Sequence, residues 1–198
     1  MTYQNIIKKI WIMSGVGFRS KVVTEVTELQ VFVDGYNRGT TKRSVEDYGG
    51  KFVRAFYVGD EMVGGYSLNQ EQPFFHIDMI PTEELKSLPI QYSDIKITEI
   101  RSLWIKGKAP NLLRATVYCR SVLDAALTRP SYILGGTFTE KFRKVQMRAL
   151  PNLLYFGDVN VWGRVQKWWI FFGTPFQCVI RLPYAVFGGW TDRVRTKR

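Results

Sequence analysis

The residue types that most often perform catalysis are few in this chain, and their spacing argues against several reactions. His76 is the one histidine in 198 residues, and no Gly-x-Ser-x-Gly segment occurs, which disfavours a serine–histidine hydrolase. Cysteine, histidine and carboxylate residues show no metal-ligand spacing, so we expect no metal. Gly15-Val16-Gly17 lacks the third glycine of a dinucleotide-binding turn, and Gly107-Lys108 lacks the remainder of a phosphate-binding loop.

Charge is distributed unevenly along the sequence. Residues 1–99 carry a net charge of −2, whereas residues 100–198 carry +13. The basic half favours an anionic partner: phosphate groups, an acidic protein, nucleic acid or a membrane surface. Charge alone does not choose among them. Lys141, Lys144 and Arg148 recur at helical spacing, which is also typical of a solvated helix face.

Apolar periodicity and turn residues predict alternating helices and strands. The predicted helices cover residues 21–36, 112–128 and a basic segment that ends at Pro151; the predicted strands cover residues 51–59, 61–68, 95–105, 132–138, 153–161 and 168–187. Glu99 and Arg101 are two apart on the third strand and so share a face, where they could form only a structural ion pair. The order predicts an α/β (α+β) fold, a single mixed sheet with helices on both faces.

The composition is that of an ordinary globular protein in a reducing compartment. Cys119 and Cys178 make no disulfide framework, so we expect a cytoplasmic location. The apolar segment at residues 10–18 is similar to a signal peptide, and the segment at residues 168–190 is long enough for a membrane span. Charged, proline and glycine residues interrupt these segments, so we expect neither a signal peptide nor a membrane span. No linker separates domains, which predicts a single domain over residues 1–198 with a basic, flexible tail at 192–198.

Four segments, in order, carry a resemblance to a known enzyme group. They are residues 29–36 (LQVFVDGY), 46–48 (EDY), 61–68 (EMVGGYSL) and 98–105 (TEIRSLWI). This order resembles the acyl-homoserine-lactone synthases and the long-chain N-acyl amino acid synthases of the GNAT superfamily, over residues 20–160. Arg101 stands two residues after Glu99, where the lactone synthases place an arginine three residues after it. The shorter spacing puts Arg101 on the same face as Glu99.

The resemblance implies a GNAT-like, mostly antiparallel central sheet and an N-acyltransferase activity. The acyl group would pass from acyl-CoA or from the phosphopantetheine of an acyl carrier protein to a small amine or amino acid. Glu99, next to Glu46, would hold the acceptor ammonium or accept its proton, and Arg101 would complete the catalytic set. Trp104, Lys106, Lys108 and Arg114 would bind the donor, whose phosphates would meet the start of the helix at residue 112.

Two interpretations of the basic half remain open. In the first, four residues of one basic helix dock an acidic acyl carrier protein: Lys141, Arg143, Lys144 and Arg148. In the second, the chain is a catalytically silent binding module on the same fold, and its basic half binds nucleic acid or an acidic protein. The aromatic terminal strands would form core or line an acyl-chain pocket.

Overall fold

The computed structural model describes residues 17–37, 43–89, 95–161 and 163–185. Seven strands form one sheet in the order β1-β2-β3-β4-β5-β7-β6. The strands are β1 (Phe18–Val22), β2 (Phe52–Val58), β3 (Glu61–Asn69), β4 (Ile97–Ile105), β5 (Tyr132–Thr137), β6 (Asn152–Val161) and β7 (Arg164–Gly173). β4 and β5 run parallel, whereas the β1–β2, β5–β7 and β6–β7 pairs are antiparallel. The predicted mixed, mostly antiparallel sheet is confirmed.

Six α-helices lie between or after these strands in the part of the chain that the structure describes. They are α1 (Val26–Asn37), α2 (Phe75–Asp78), α3 (Thr82–Leu85), α4 (Asn111–Leu127), α5 (Glu140–Ala149) and α6 (Pro175–Ile180). None of the described helices is long and apolar enough to cross a membrane. Residues 10–16 of the apolar segment at 10–18, and the predicted tail at 192–198, lie outside the described residues.

The chain divides into two compact units. The first unit comprises Met1–Ser67 and Ser102–Val117, and the second comprises Leu68–Arg101 and Tyr118–Arg198. The single domain over residues 1–198 stays a prediction.

In the first unit, the core forms where α1 packs on the sheet. Leu29, Phe32 and Val33 are three to four residues apart, so they share one face of α1 and are buried together with alternate residues of β2 such as Val53 and Ala55. The β2–β3 hairpin turns at Gly59, whose φ of 57° lies in the left-handed region that favours glycine. This hairpin was predicted from its sequence and is confirmed.

The second unit is built around the aromatic strand β7. Trp168, Ile170 and Phe172 alternate along β7 and are buried with residues of β4, β5 and β6. This packing places one face of β7 in the core of the second unit.

Two predicted element boundaries were wrong. The helix predicted over residues 21–36 starts at Val26, because Phe18–Val22 pairs with β2 as an edge strand. The strand predicted over residues 168–187 ends at Gly173, because the Thr174 side chain accepts the Gln177 N–H and the Gln177 side chain accepts the Thr174 N–H. This reciprocal capping begins α6, with Pro175 in its first turn.

Candidate active site

Glu99 is the most completely buried charged residue of the second unit, with a relative exposure of 0%. Its Oε1 accepts the backbone N–H of His76 at 2.6 Å, and its Oε2 accepts that of Phe75 at 3.2 Å. The first N–H groups of a helix have no carbonyl partner within the helix. Because α2 begins at Phe75, its first turn offers these donors to the Glu99 carboxylate, which is thereby fixed from two directions.

Arg101 is the charged partner of Glu99. Its Nε lies 3.5 Å from Glu99 Oε2, and its guanidinium lies 5.0 Å from the centre of the Phe75 ring. The same-face placement predicted from the two-residue spacing is confirmed. The ion pair is buried, since the Arg101 side chain is 12% exposed.

Burial sets the protonation behaviour of Glu99. Removal from water raises the pKa of the Glu99 carboxyl above its ordinary value. The Arg101 guanidinium, the N–H groups of His76 and Phe75, and the Asn69 side chain all act to lower it. A carboxylate that burial makes more basic is suited to accept a proton from an ammonium group.

A cleft of about 350 Å³ opens beside α2. Its walls are formed by Gln72, Pro73, Phe74, Ile77 and Asp78. The Asn69 amide donates to the carbonyl oxygens of Glu71 and Pro73, at 2.7 and 3.1 Å, and so shapes the loop that forms one wall.

Asp78 is the acidic residue that lines this cleft, and the sequence analysis missed it. Burial is the main cause that raises the pKa of its carboxyl, the charge of Glu99 adds to that effect, and Arg101 opposes it. Asp78, Glu99 and Arg101 therefore interact electrostatically. No motif marks Asp78, because it ends a helix of four residues, too short to show periodicity.

The backbone of Gly136 lies close to the rings of His76 and Trp168. His76 and Trp168 are both buried, with ring centres 6.0 Å apart. A Cβ atom on Gly136 of β5 would lie 2.5 Å from Trp168 Nε1 and 2.8 Å from His76 Nδ1, so only glycine fits there. His76 is a packed core residue and contributes to the support of the α2 backbone.

The remaining acidic candidate, Glu46, belongs to the first unit. It begins a short 3-10 helix (Glu46–Tyr48) and is exposed to solvent. A hydrogen bond involving Ser44 is the main cause that lowers the pKa of its carboxyl. Because Glu46 and Glu99 belong to different units, their association stays a prediction.

The predicted donor residues have different surroundings. Trp104 packs on Phe32, with ring centres 6.0 Å apart, and against Gly35, where a Cβ would lie 2.3 Å from the indole. The Lys106 ammonium pairs with the Glu61 carboxylate. Trp104 therefore contributes to the core of the first unit.

The loop between β4 and α4 is held by Arg114. Its guanidinium donates to the carbonyl oxygens of Lys106, at 3.2 Å, of Gly107, and of Ala109, at 3.1 Å. Arg114 thus fixes the loop from within, whereas Lys108 is exposed at its tip.

The basic residues of α5 also divide into two groups. Lys141 and Lys144 are exposed, and Phe142 and Met147 of the same helix are exposed as well. Arg143 is engaged: it bonds both oxygens of Glu140 and lies 5.7 Å from the Trp169 ring. Arg148, in the last turn, is half-buried.

No three His, Cys, Asp or Glu side chains are grouped to hold a metal ion within residues 17–37, 43–89, 95–161 and 163–185.

Comparison with known proteins identifies the fold. The sequence matches no family model, and no curated protein matches it significantly. The structure is similar to that of FeeM, an N-acyl amino acid synthase from uncultured soil microbes, with a TM-score of 0.61, 12% identity, and coverage of 87% of this chain and 98% of that chain. It is also similar to TofI, solved in a ternary complex with an inhibitor and MTA. The TM-score is 0.55 and the identity 13%, with coverage of 85% of this chain and 97% of that chain.

A third similar structure is yncA, a putative acetyltransferase from Salmonella typhimurium solved with its cofactor acetyl-CoA. Its TM-score is 0.55 and its identity 8%, with coverage of 80% of this chain and 94% of that chain. At such low identity the comparison establishes the fold alone. The predicted resemblance to the GNAT superfamily is confirmed at that level.

Proposed function

We propose that this protein is an N-acyltransferase that moves an acyl group from a thioester to a small amine or amino acid. The observation that carries the proposal is Glu99, a fully buried carboxylate that two backbone N–H groups and Arg101 hold beside an open cleft. The GNAT-like fold supports the same reaction class. The donor is acyl-CoA or an acyl carrier protein.

The reaction requires a neutral amine and a stabilised oxyanion. The amine nitrogen forms a bond to the thioester carbonyl carbon, the carbon–sulfur bond breaks, and the thiolate leaves and takes up a proton. Because Glu99 is fully buried, it accepts the proton of the ammonium group through a water molecule. A backbone N–H group of one of the sheet strands polarises the thioester oxygen.

The donor phosphates bind at the loop between β4 and α4. Residues 106–110 connect the strand to a helix of 17 residues, whose first N–H groups favour an anion. Lys108 supplies an exposed positive charge, Lys106 a second one shared with Glu61, and Arg114 keeps the loop in shape.

The direct experiment measures thiol release. Purified protein is mixed with acyl-CoA of several chain lengths and a panel of small amines and amino acids, and free CoA is followed with a thiol reagent. We expect release that depends on both substrates, with an N-acyl product of matching amount by mass spectrometry. Release that does not require an amine would indicate thioester hydrolysis and contradict the proposal.

The exposed cations of α5 support the docking of an acidic acyl carrier protein, which would carry the acyl group. Reversal of Lys141, Lys144 and Arg148 to Glu should raise the apparent KM for acyl carrier protein far more than that for acyl-CoA, and the effect should fade with added salt. A control variant in which three exposed cations elsewhere in the second unit are reversed changes net charge equally: Arg164, Lys167 and Arg181.

Nucleic acid binding is the competing outcome of that experiment. It predicts a steep linear fall of log affinity with log salt concentration and little dependence on sequence. Loss of DNA or RNA binding in the α5 variant, with carrier-dependent kinetics unchanged, would favour the binding module over the carrier-docking enzyme.

A further inference from the structure

Glu99 is buried too deeply to contact an acceptor amine directly, whereas a second carboxylate faces the open cleft. Glu99 is fully excluded from solvent, and the cleft beside α2 is lined by residues 72–74, 77 and 78 without it. Asp78 is exposed along this cleft. An acceptor in the cleft can therefore contact the carboxylate of Asp78 directly.

Among the described residues, Glu99 is ion-paired with Arg101, whereas Asp78 forms no ion pair. Asp78 and Glu99 are two carboxylates, and Arg101 is the one cation that both interact with among the described residues. Arg101 is committed to Glu99, with Nε at 3.5 Å from Oε2, and lies over the Phe75 ring. A cationic ligand is the group that restores neutrality beside Asp78.

The other walls of the cleft fit a small amine with an apolar portion. Pro73, Phe74 and Ile77 are apolar, and Gln72 adds one amide. Asp78 is placed by α2, whose first two N–H groups are bound to Glu99. The same four-residue helix thus connects the exposed carboxylate to the buried one and holds them in a fixed relation.

We propose that Asp78 binds the ammonium group of the acceptor amine in the cleft beside α2. This inference rests on the proposed function and deepens it: Asp78 holds the acceptor, and Glu99 accepts its proton through water. Asp78 is therefore a substrate-binding residue whose loss weakens acceptor binding more than it slows the chemical step.

The kinetic test varies the amine at saturating acyl-CoA. Asp78→Asn should raise the acceptor KM about tenfold to a hundredfold, the range expected when a hydrogen bond to a charged group is lost. The kcat and the KM for acyl-CoA should change by less than about threefold. Asp78→Glu should restore most of the acceptor affinity. Asp158→Asn, an exposed aspartate of β6 in the same unit, is the matched control. An acceptor KM for Asp78→Asn within twofold of wild type would overturn the inference.

A binding test separates this inference from the proposed function. Butylammonium chloride is titrated into the 15N-labelled protein, with butanol as the uncharged control ligand. Saturable shifts of the amides of residues 72–78 with butylammonium alone, weakened at least tenfold in Asp78→Asn, support the ammonium site even if no acyl transfer occurs. No shifts in wild type, or equal shifts in Asp78→Asn, overturn the site even if transfer is found.

Discussion

Replacement of Glu99 by glutamine tests the buried carboxylate with the smallest change of shape. The sequence alone predicts that this substitution removes acyl transfer and leaves folding nearly intact. The structure changes the second expectation, because the Glu99 oxygens accept N–H groups from both His76 and Phe75. A glutamine side chain offers one acceptor oxygen and turns an NH2 group toward the other donor.

The stability cost follows from that mismatch. One buried N–H without an acceptor costs about 1–3 kcal/mol, and Arg101 loses its buried partner, while removal of a buried charge offsets part of the loss. We expect Glu99→Gln to lower the free energy of unfolding by about 2 kcal/mol in urea denaturation. Glu140→Gln, which removes a carboxylate from an exposed arginine pair, should leave it nearly unchanged.

The pH dependence gives a second measurement with a defined sign. Because burial raises the pKa of Glu99 in the folded protein, the folded state binds this proton more tightly than the unfolded state. The resulting stabilisation is complete below the unfolded pKa and is lost as pH rises through the folded pKa. The stability of wild type relative to Glu99→Gln should therefore decrease as pH rises through that interval. A relative stability that increases over it would refute this assignment of burial as the dominant effect.

The catalytic consequence is measured with acyl-CoA and a saturating amine. We expect Glu99→Gln to lower kcat by about 10²–10⁴-fold, the usual contribution of a general base, while Glu140→Gln stays near wild type. Equal kcat in Glu99→Gln and wild type would remove Glu99 from the mechanism. Unchanged stability would show that the two N–H contacts of α2 contribute nothing in solution.

Two further predictions concern backbone positions that allow few alternatives. Gly136→Ala should lower the free energy of unfolding by about 1–3 kcal/mol in urea denaturation, because the added Cβ meets Trp168 Nε1 at 2.5 Å. Gly107→Ala has open space around it and should be nearly neutral, so equal effects of the two substitutions would contradict the close packing at Gly136. Ser102 has a φ of 49°, and its hydroxyl shares a hydrogen bond of 2.7 Å with the Tyr48 hydroxyl. Both variants lose this hydrogen bond, but Ser102→Ala keeps the strained φ, so it should be less stable than Ser102→Gly by about 1 kcal/mol in urea denaturation. The reverse order would show that φ is relaxed in solution.

Much of the sheet could be predicted because its strands alternate or carry clear turn signals. The hairpin at Gly59 and the shared face of Glu99 and Arg101 both follow from the two-residue period of a strand. β1 was missed because the segment FRSKV has charged or polar residues on both faces, as edge strands often do, and no apolar alternation marks it. The aromatic residues after Gly173 suggested that the strand continues, although the capping pair of Thr174 and Gln177 begins α6 there.

The site was harder to predict than the sheet. Glu99 and Arg101 lie on one strand, so their relation is local in sequence. Asp78 joins them only through α2, which reaches Glu99 across 23 residues and consists of a single turn. Arg114 makes contacts of a similar kind: its guanidinium bonds the carbonyl oxygens of the preceding loop, and its role in donor binding stays a prediction. Such tertiary hydrogen bonds leave no periodic trace in the sequence.

N-acyl transfer can be detected by mass spectrometry of lipid extracts. Cells that express the wild-type chain, the Glu99→Gln variant or an empty vector are extracted and compared. We expect amide species, each equal in mass to a fatty acid plus an amine less water, that accumulate with the wild-type chain and are absent or strongly reduced in the other two. Identical extracts from all three, with the wild-type protein folded and abundant, would contradict it.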